Sequence, residues 1–97
     1  MQFVLTAYDR ADGLALRAQT RPAHLDYLRA NAASIAFAGP MLDGEGKPRG
    51  SIIVYEAPDL ASAETLAAAD PYAEAGLFAK TEISGFRTVV KDGVVAG

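Results

Sequence analysis

Apolar and polar positions alternate at the start of the chain. From Gln2 to Tyr8, the side chains of Phe3, Leu5 and Ala7 fall on one face, and Gln2, Val4, Thr6 and Tyr8 on the other, which is the period of a β-strand. Both faces carry apolar groups, so this strand is expected in a sheet covered on both sides, by helices on one and a second subunit on the other. From Leu14 onward the spacing becomes helical. Pro22 splits that region into two expected pieces: Leu14 to Gln19, then a second helix capped by Thr20, whose stripe of Leu25, Leu28 and Ala32 is expected to face the sheet. His24 sits one turn before Leu28, at the edge of the stripe.

A second strand is predicted over Ser34 to Leu42, and Pro40 places it at a sheet edge or at the end of pairing. The turn formers from Asp43 to Gly50 then read as a hairpin loop into a third strand, Ser51 to Glu56. Gly44, Gly46 and Gly50 imitate a dinucleotide-binding glycine pattern. The spacing is off by one, Pro48 intervenes and the loop joins strand to strand, so that motif is rejected. Asp59 caps a helix reaching to about Ala69, with Leu60, Ala63, Leu66 and Ala67 as its apolar side. A last strand is expected over Lys80 to Val90, kinked at Gly85, followed by a turn at Asp92-Gly93. The order strand, helix, strand, strand, helix, strand implies an antiparallel sheet with both helices on one face, the ferredoxin-like α+β arrangement.

With 97 residues the chain is expected to form one domain spanning 1–97. Its 51% hydrophobic content is more than so short a chain easily buries, which points to self-association, read as a homodimer through the uncovered sheet face. A net charge of -3 and a pI near 4.9 argue against nucleic acid or an anionic membrane as partner. Without cysteine there is no disulfide, thiolate metal site or cysteine nucleophile, and with one histidine a transition-metal site is not expected; no cofactor is implied. The N-terminus lacks a positive leader and its apolar run is too short to span a membrane, so a cytoplasmic location is the expectation.

The run Asp70-Pro71-Tyr72-Ala73-Glu74-Ala75-Gly76 supports two readings. In the first, Asp70 caps a helical turn that Pro71 opens and Gly76 closes in a left-handed conformation. In the second, Asp70 also serves chemistry, which requires a partner elsewhere. His24 is that candidate, being the one side chain whose ordinary pKa lies near neutrality. A carboxylate on one imidazole nitrogen would fix the tautomer and leave the other to move a proton. Arg17 and Arg21 are candidates for binding an anionic substrate, against a reading as solvated helix-surface residues. Ser51 is a candidate pocket residue, against an ordinary strand-end serine. Tyr72 and Tyr27 suit either a pocket wall or aromatic packing.

Thr20-Arg21-Pro22-Ala23-His24-Leu25-Asp26-Tyr27-Leu28, Ala38-Gly39-Pro40-Met41-Leu42, Gly50-Ser51 and the run from Asp70 to Phe78 together resemble the YciI-like (YCII-related) family. The resemblance implies a ferredoxin-like fold of the dimeric α/β-barrel type, a homodimer, and a His24/Asp70 active-site pair. Family chemistry is mostly unassigned, although elimination from a chlorinated hydroxyquinol has been attached to part of it.

Three functions follow as expectations. One is a small cofactor-independent lyase or isomerase in which His24 and Asp70 move a proton on a small anionic or phenolic molecule. The second is a non-catalytic small-molecule binding module using the same pocket. The third is a structural dimerisation domain in which Asp70 is only a cap.

Overall fold

The computed structural model describes residues 1–96. Strand β1 (Gln2–Asp9) leads to helix α1 (Leu14–Ala30), a short 3-10 turn over Ala32–Ser34, and the hairpin of β2 (Ile35–Leu42) and β3 (Pro48–Glu56). Helix α2 (Leu60–Ala68), the single turn α3 (Pro71–Glu74) and strand β4 (Phe78–Phe86) follow, and a small ribbon of β5 (Val90–Lys91) and β6 (Val94–Val95) closes the described chain. The main sheet is antiparallel in the order β2-β3-β1-β4, with β1 and β3 central. This is the expected ferredoxin-like α+β fold.

Register explains the core. Leu5 lies opposite both Ile53 and Ile83, and Phe3 opposite Tyr55, so one row after another presents large side chains to the helical side. Phe3, Leu5, Ile53 and Tyr55 pack there with Ala57 and with Ala63 of α2. Each large side chain so buried contributes about 1.5–3 kcal/mol. Ala63 is fully buried, its small side chain letting the α2 backbone approach the sheet. Asp59 caps α2 by accepting from the backbone N–H of Ser62 at 2.8 Å. Leu60, expected on the apolar side of that helix, is instead exposed.

The structure corrects the reading of the first helix. Leu14–Ala30 is one continuous helix with Pro22 inside it rather than two pieces. Proline removes one backbone donor, a local loss that packing on both sides of it outweighs. The inward face is also rotated from the expected stripe: Arg17, His24 and Tyr27 are the buried residues, Leu25 and Leu28 are half-buried, and Ala32 lies beyond the helix, exposed. The last strand stops at Phe86, and Val90 belongs to the separate ribbon. There Asp92 and Gly93 have φ of 52° and 77°, the two left-handed positions a two-residue hairpin turn requires. As Pro40 indicated, β2 is a sheet edge.

Candidate active site beneath the long helix

Three elements build the site. Helix α1 supplies Arg17, Arg21 and His24 from one side; β3 supplies Ser51; the α3 turn supplies Asp70 at its cap and Tyr72 one residue inside. Asp70 caps α3 by accepting from the Tyr72 N–H at 2.9 Å, with Pro71 in the first turn and Gly76 at φ 75° just beyond it. Capping therefore fixes the carboxylate that meets the imidazole. His24 Nδ1 lies 2.8 Å from the same oxygen, Oδ1, across a gap of 46 residues in sequence.

A carboxylate only accepts, so Nδ1 carries the proton in this bond and the neutral ring keeps Nε2 as its acceptor. Asp70 is completely buried. Burying an ionised carboxyl without partners is costly, and His24 and the Tyr72 N–H are what offset it here. The second oxygen, Oδ2, has no hydrogen-bond partner among the described residues. The two readings of Asp70 are thus compatible: one oxygen serves both the helix and the histidine.

Tyr72 holds the ring from a third direction. Its ring stacks on that of His24 with centroids 3.9 Å apart and planes 17° from parallel. The Arg17 guanidinium lies 4.6 Å from the same Tyr72 centroid. Arg17 and His24 are two turns apart on α1, about 10 Å along its axis, which leaves room for one aromatic ring between them. Burial pushes the Tyr72 hydroxyl above its ordinary pKa, opposed in part by the positive charges of Arg17 and Arg21.

Arg17 is buried rather than solvated. Its Nε donates to Asp9 Oδ2 at 2.7 Å and its Nη2 to Asp9 Oδ1 at 3.1 Å, a two-pronged pair, and Nη2 also donates to Ser51 Oγ at 2.8 Å. Asp9, the last residue of β1, was not among the sequence candidates. A charge closing an otherwise uncharged strand is the available signal, and nothing local indicates that it turns inward. Tyr27, a candidate pocket wall, packs elsewhere: its hydroxyl bonds Tyr55 at 3.0 Å and donates to the Leu66 carbonyl. Burial raises the pKa of both phenols.

Between α1 and the β2–β3 edge lies a cavity of about 210 Å³. Arg17, Arg21, His24, Ser51 and Tyr72 all line it, so five of the seven sequence candidates meet at one opening, with Asp70 directly behind His24 and Tyr27 outside. Leu25, Leu28, Ala38, Pro40 and Ile53 make its apolar walls. A cavity of about 150 Å³ accommodates benzene, so this volume suits a single substituted ring. Arg17 is neutralised by Asp9, whereas Arg21 is exposed and has no ion pair among the described residues. The described residues hold no group of three or more His, Cys, Asp or Glu placed to bind a metal, and no helix long and apolar enough to cross a membrane.

Strand order and helix placement define the class, a ferredoxin-like α+β domain whose long helix roofs a cavity against β2 and β3. Residues 1–87 match the YCII-related domain, and the chain belongs to that family. It is similar to the protein YciI of Escherichia coli O6:H1, with 35% identity over 97 residues, 92% of this chain and 99% of that one. Protein YciI of Shigella flexneri matches with the same identity and coverage. Among solved structures, the chain resembles 5-chloro-2-hydroxyhydroquinone dehydrochlorinase from Burkholderia phenoliruptrix AC1100 in complex with 2,5-dihydroxybenzoquinone. The TM-score is 0.84 at 30% identity, over 90% of this chain and 94% of that one.

Proposed function

We propose that the protein is a small cofactor-independent enzyme of the lyase or isomerase type that moves a proton on an oxygen-substituted, single-ring molecule. The observation that carries this reading is the buried His24–Asp70 bond beside a ring-sized cavity. Asp70 holds the proton on Nδ1, and Nε2 takes a proton from an acidic hydroxyl or carbon of the substrate. The electron pair left behind spreads over the ring and its oxygens. The reaction completes either by loss of a leaving group with its bonding pair or by return of the proton from His24 to another atom. Neither route needs an external oxidant or reductant. Arg21 offers its charge to an anionic substituent, and Tyr72 keeps the imidazole plane fixed. The solved relative, named for a dehydrochlorination, supports the elimination route.

The reading extends to the assembly: a homodimer formed through the sheet face that the helices leave uncovered. Support comes from Phe37, on β2, which is 54% exposed, and from Val4 and Ile52, which lie half-buried on the face away from the helices.

The test is chloride release from 5-chloro-2-hydroxyhydroquinone by the wild type, His24→Ala and Asp70→Asn. Each variant is expected to lose about 100-fold or more of the rate. Asparagine caps a helix as well as aspartate does, so Asp70→Asn should keep the α3 cap and still fold. Full turnover in either variant removes the reading, and binding of 2,5-dihydroxybenzoquinone without turnover by the wild type would convert it to a binding module.

A further inference from the structure

We infer that Tyr27 and Tyr55 are positioning residues for the His24–Asp70 pair: their linked phenols fix where α2 ends, and so where Asp70 stands relative to His24. This rests on the reading of that pair as the proton-moving groups and deepens it. Leu66 lies in the last turn of α2, where a carbonyl has lost its helical partner. A carbonyl only accepts, so the single phenolic proton of Tyr27 goes to Leu66. The Tyr27 oxygen, 3.0 Å from that of Tyr55, is then the acceptor in the second bond, and the chain runs in one direction from Tyr55 through Tyr27 to Leu66. Hydrogen bonds linked in this way in a low dielectric strengthen one another, and Tyr55 at the head of the chain is completely buried on the central strand β3.

The Leu66 bond falls where the backbone turns toward the site. Were α2 to continue, the Leu66 carbonyl would accept from the N–H of Asp70, four residues on. Here it accepts from the Tyr27 phenol and, at 3.2 Å, from the N–H of Ala69, while the Asp70 N–H bonds the Ala67 carbonyl at 3.3 Å. The helix closes in a tightened turn, and Asp70 leaves it with extended backbone, φ -63° and ψ 126°. From that conformation it both caps α3 and meets His24.

Tyr27 follows His24 by three residues on the same helix, so the two side chains project side by side. Their ring centroids are 6.4 Å apart. The phenol bond therefore ties the His24 face of α1 to the end of α2, at the place where imidazole and carboxylate stand 2.8 Å from each other. The α3 cap orients the carboxylate locally; it does not set the distance of that carboxylate from α1.

His24 is the one histidine of the chain, so its Nδ1 proton gives a single imidazole signal by proton NMR, and the rate at which that proton exchanges with water reads how firmly Asp70 holds it. Tyr27→Phe keeps the ring and removes the donor. It is expected to speed the exchange about tenfold, the equivalent of one lost hydrogen bond, and to lower kcat for chloride release from 5-chloro-2-hydroxyhydroquinone by a similar factor. KM should not change, because Tyr27 lies outside the cavity. Tyr55→Phe leaves the bond to Leu66 in place and should change both readouts less, and the double variant should match Tyr27→Phe, since the two changes break one chain. Asp59→Ala, which removes the cap at the far end of α2, should lower the thermal midpoint with exchange and kcat as in the wild type. Wild-type exchange or wild-type kcat in Tyr27→Phe, or an equal loss in Asp59→Ala, would overturn the inference while leaving the proposed function standing. If Tyr27→Phe fails to fold, Tyr55→Phe decides by the same signal, and wild-type exchange there has the same consequence. A wild type that releases no chloride rejects the proposed reaction, and the exchange rates alone then decide the placement of Asp70.

Discussion

The Tyr72 ring lies 3.9 Å from the ring of His24 and nearly parallel to it, while the backbone N–H of Tyr72 and the Nδ1 of His24 share one oxygen of Asp70. The imidazole is thereby restrained in direction by a hydrogen bond and in plane by a stack. Neither restraint alone does both, since a ring can still rotate about a single bond axis.

That arrangement separates two roles of Tyr72. Tyr72→Phe preserves the stacked face and is expected to keep most of the activity, whereas Tyr72→Ala opens a cavity beneath both His24 and Arg17. The alanine variant should lose about 3–5 kcal/mol of stability, as other buried aromatics do. Urea unfolding checks the stability term. Chloride release from 5-chloro-2-hydroxyhydroquinone checks the catalytic one, and equal activity in Tyr72→Phe and Tyr72→Ala would show that the stack does not position His24.

The second prediction concerns alkaline pH. Burial raises the pKa of Tyr27, Tyr55 and Tyr72 above the ordinary value of 10.0. The folded protein thus retains phenolic protons that the unfolded chain releases, so their contribution is fully present below pH 10 and is lost as the pH rises beyond it. Tyrosinate absorbance and far-UV circular dichroism, followed together above pH 9, should show these three phenols ionising as the helical signal disappears. Three tyrosinates formed with the helices intact would contradict the burial argument.

Local chemistry was legible in the sequence because it acts over a few residues. The period of Gln2 to Tyr8, the caps at Asp59 and Asp70, the left-handed Gly76 and the edge position of Pro40 each follow from one or two side chains. The His24–Asp70 contact spans 46 residues, and its sequence signs are a lone histidine, a capping carboxylate and the family resemblance. What was not legible depends on partners brought by the fold. Pro22 looked like a break because its missing donor is visible in sequence, while the packing of Arg17, His24 and Tyr27 around it is not. The same blindness turned the helix toward Leu25 and Leu28: a polar face was not expected inward, yet Asp9, Ser51 and Asp70 await it there and satisfy it. Arginine at a helix surface is ordinarily solvated, and Asp9, Ser51 and the Tyr72 ring together make Arg17 an exception.

The last prediction follows from how closely β1 and β3 approach beside the site. A methyl group placed on Gly50 would come within 2.4 Å of both the Ala7 carbonyl oxygen and Met41 Cε. The methionine end can move, but the Ala7 oxygen belongs to a central strand and cannot yield without shifting β1. Gly50→Ala should therefore cost about 1–3 kcal/mol through overpacking. Gly44, in the hairpin loop, has nothing within 4 Å of such a methyl, and Gly44→Ala should stay within about 0.5 kcal/mol of the wild type. The strain is not confined to stability. Gly50 lies opposite Tyr8 and Ser51 opposite Ala7, so separating the strands at Gly50 moves Ser51 relative to Asp9 and disturbs the Arg17 hydrogen bonds to both. Folded Gly50→Ala should then bind 2,5-dihydroxybenzoquinone more weakly, while Gly44→Ala binds it as the wild type does. Equal thermal midpoints for the two variants would mean that β1 yields freely at Ala7, and the rigidity assumed for the Ser51 side of the cavity would be wrong.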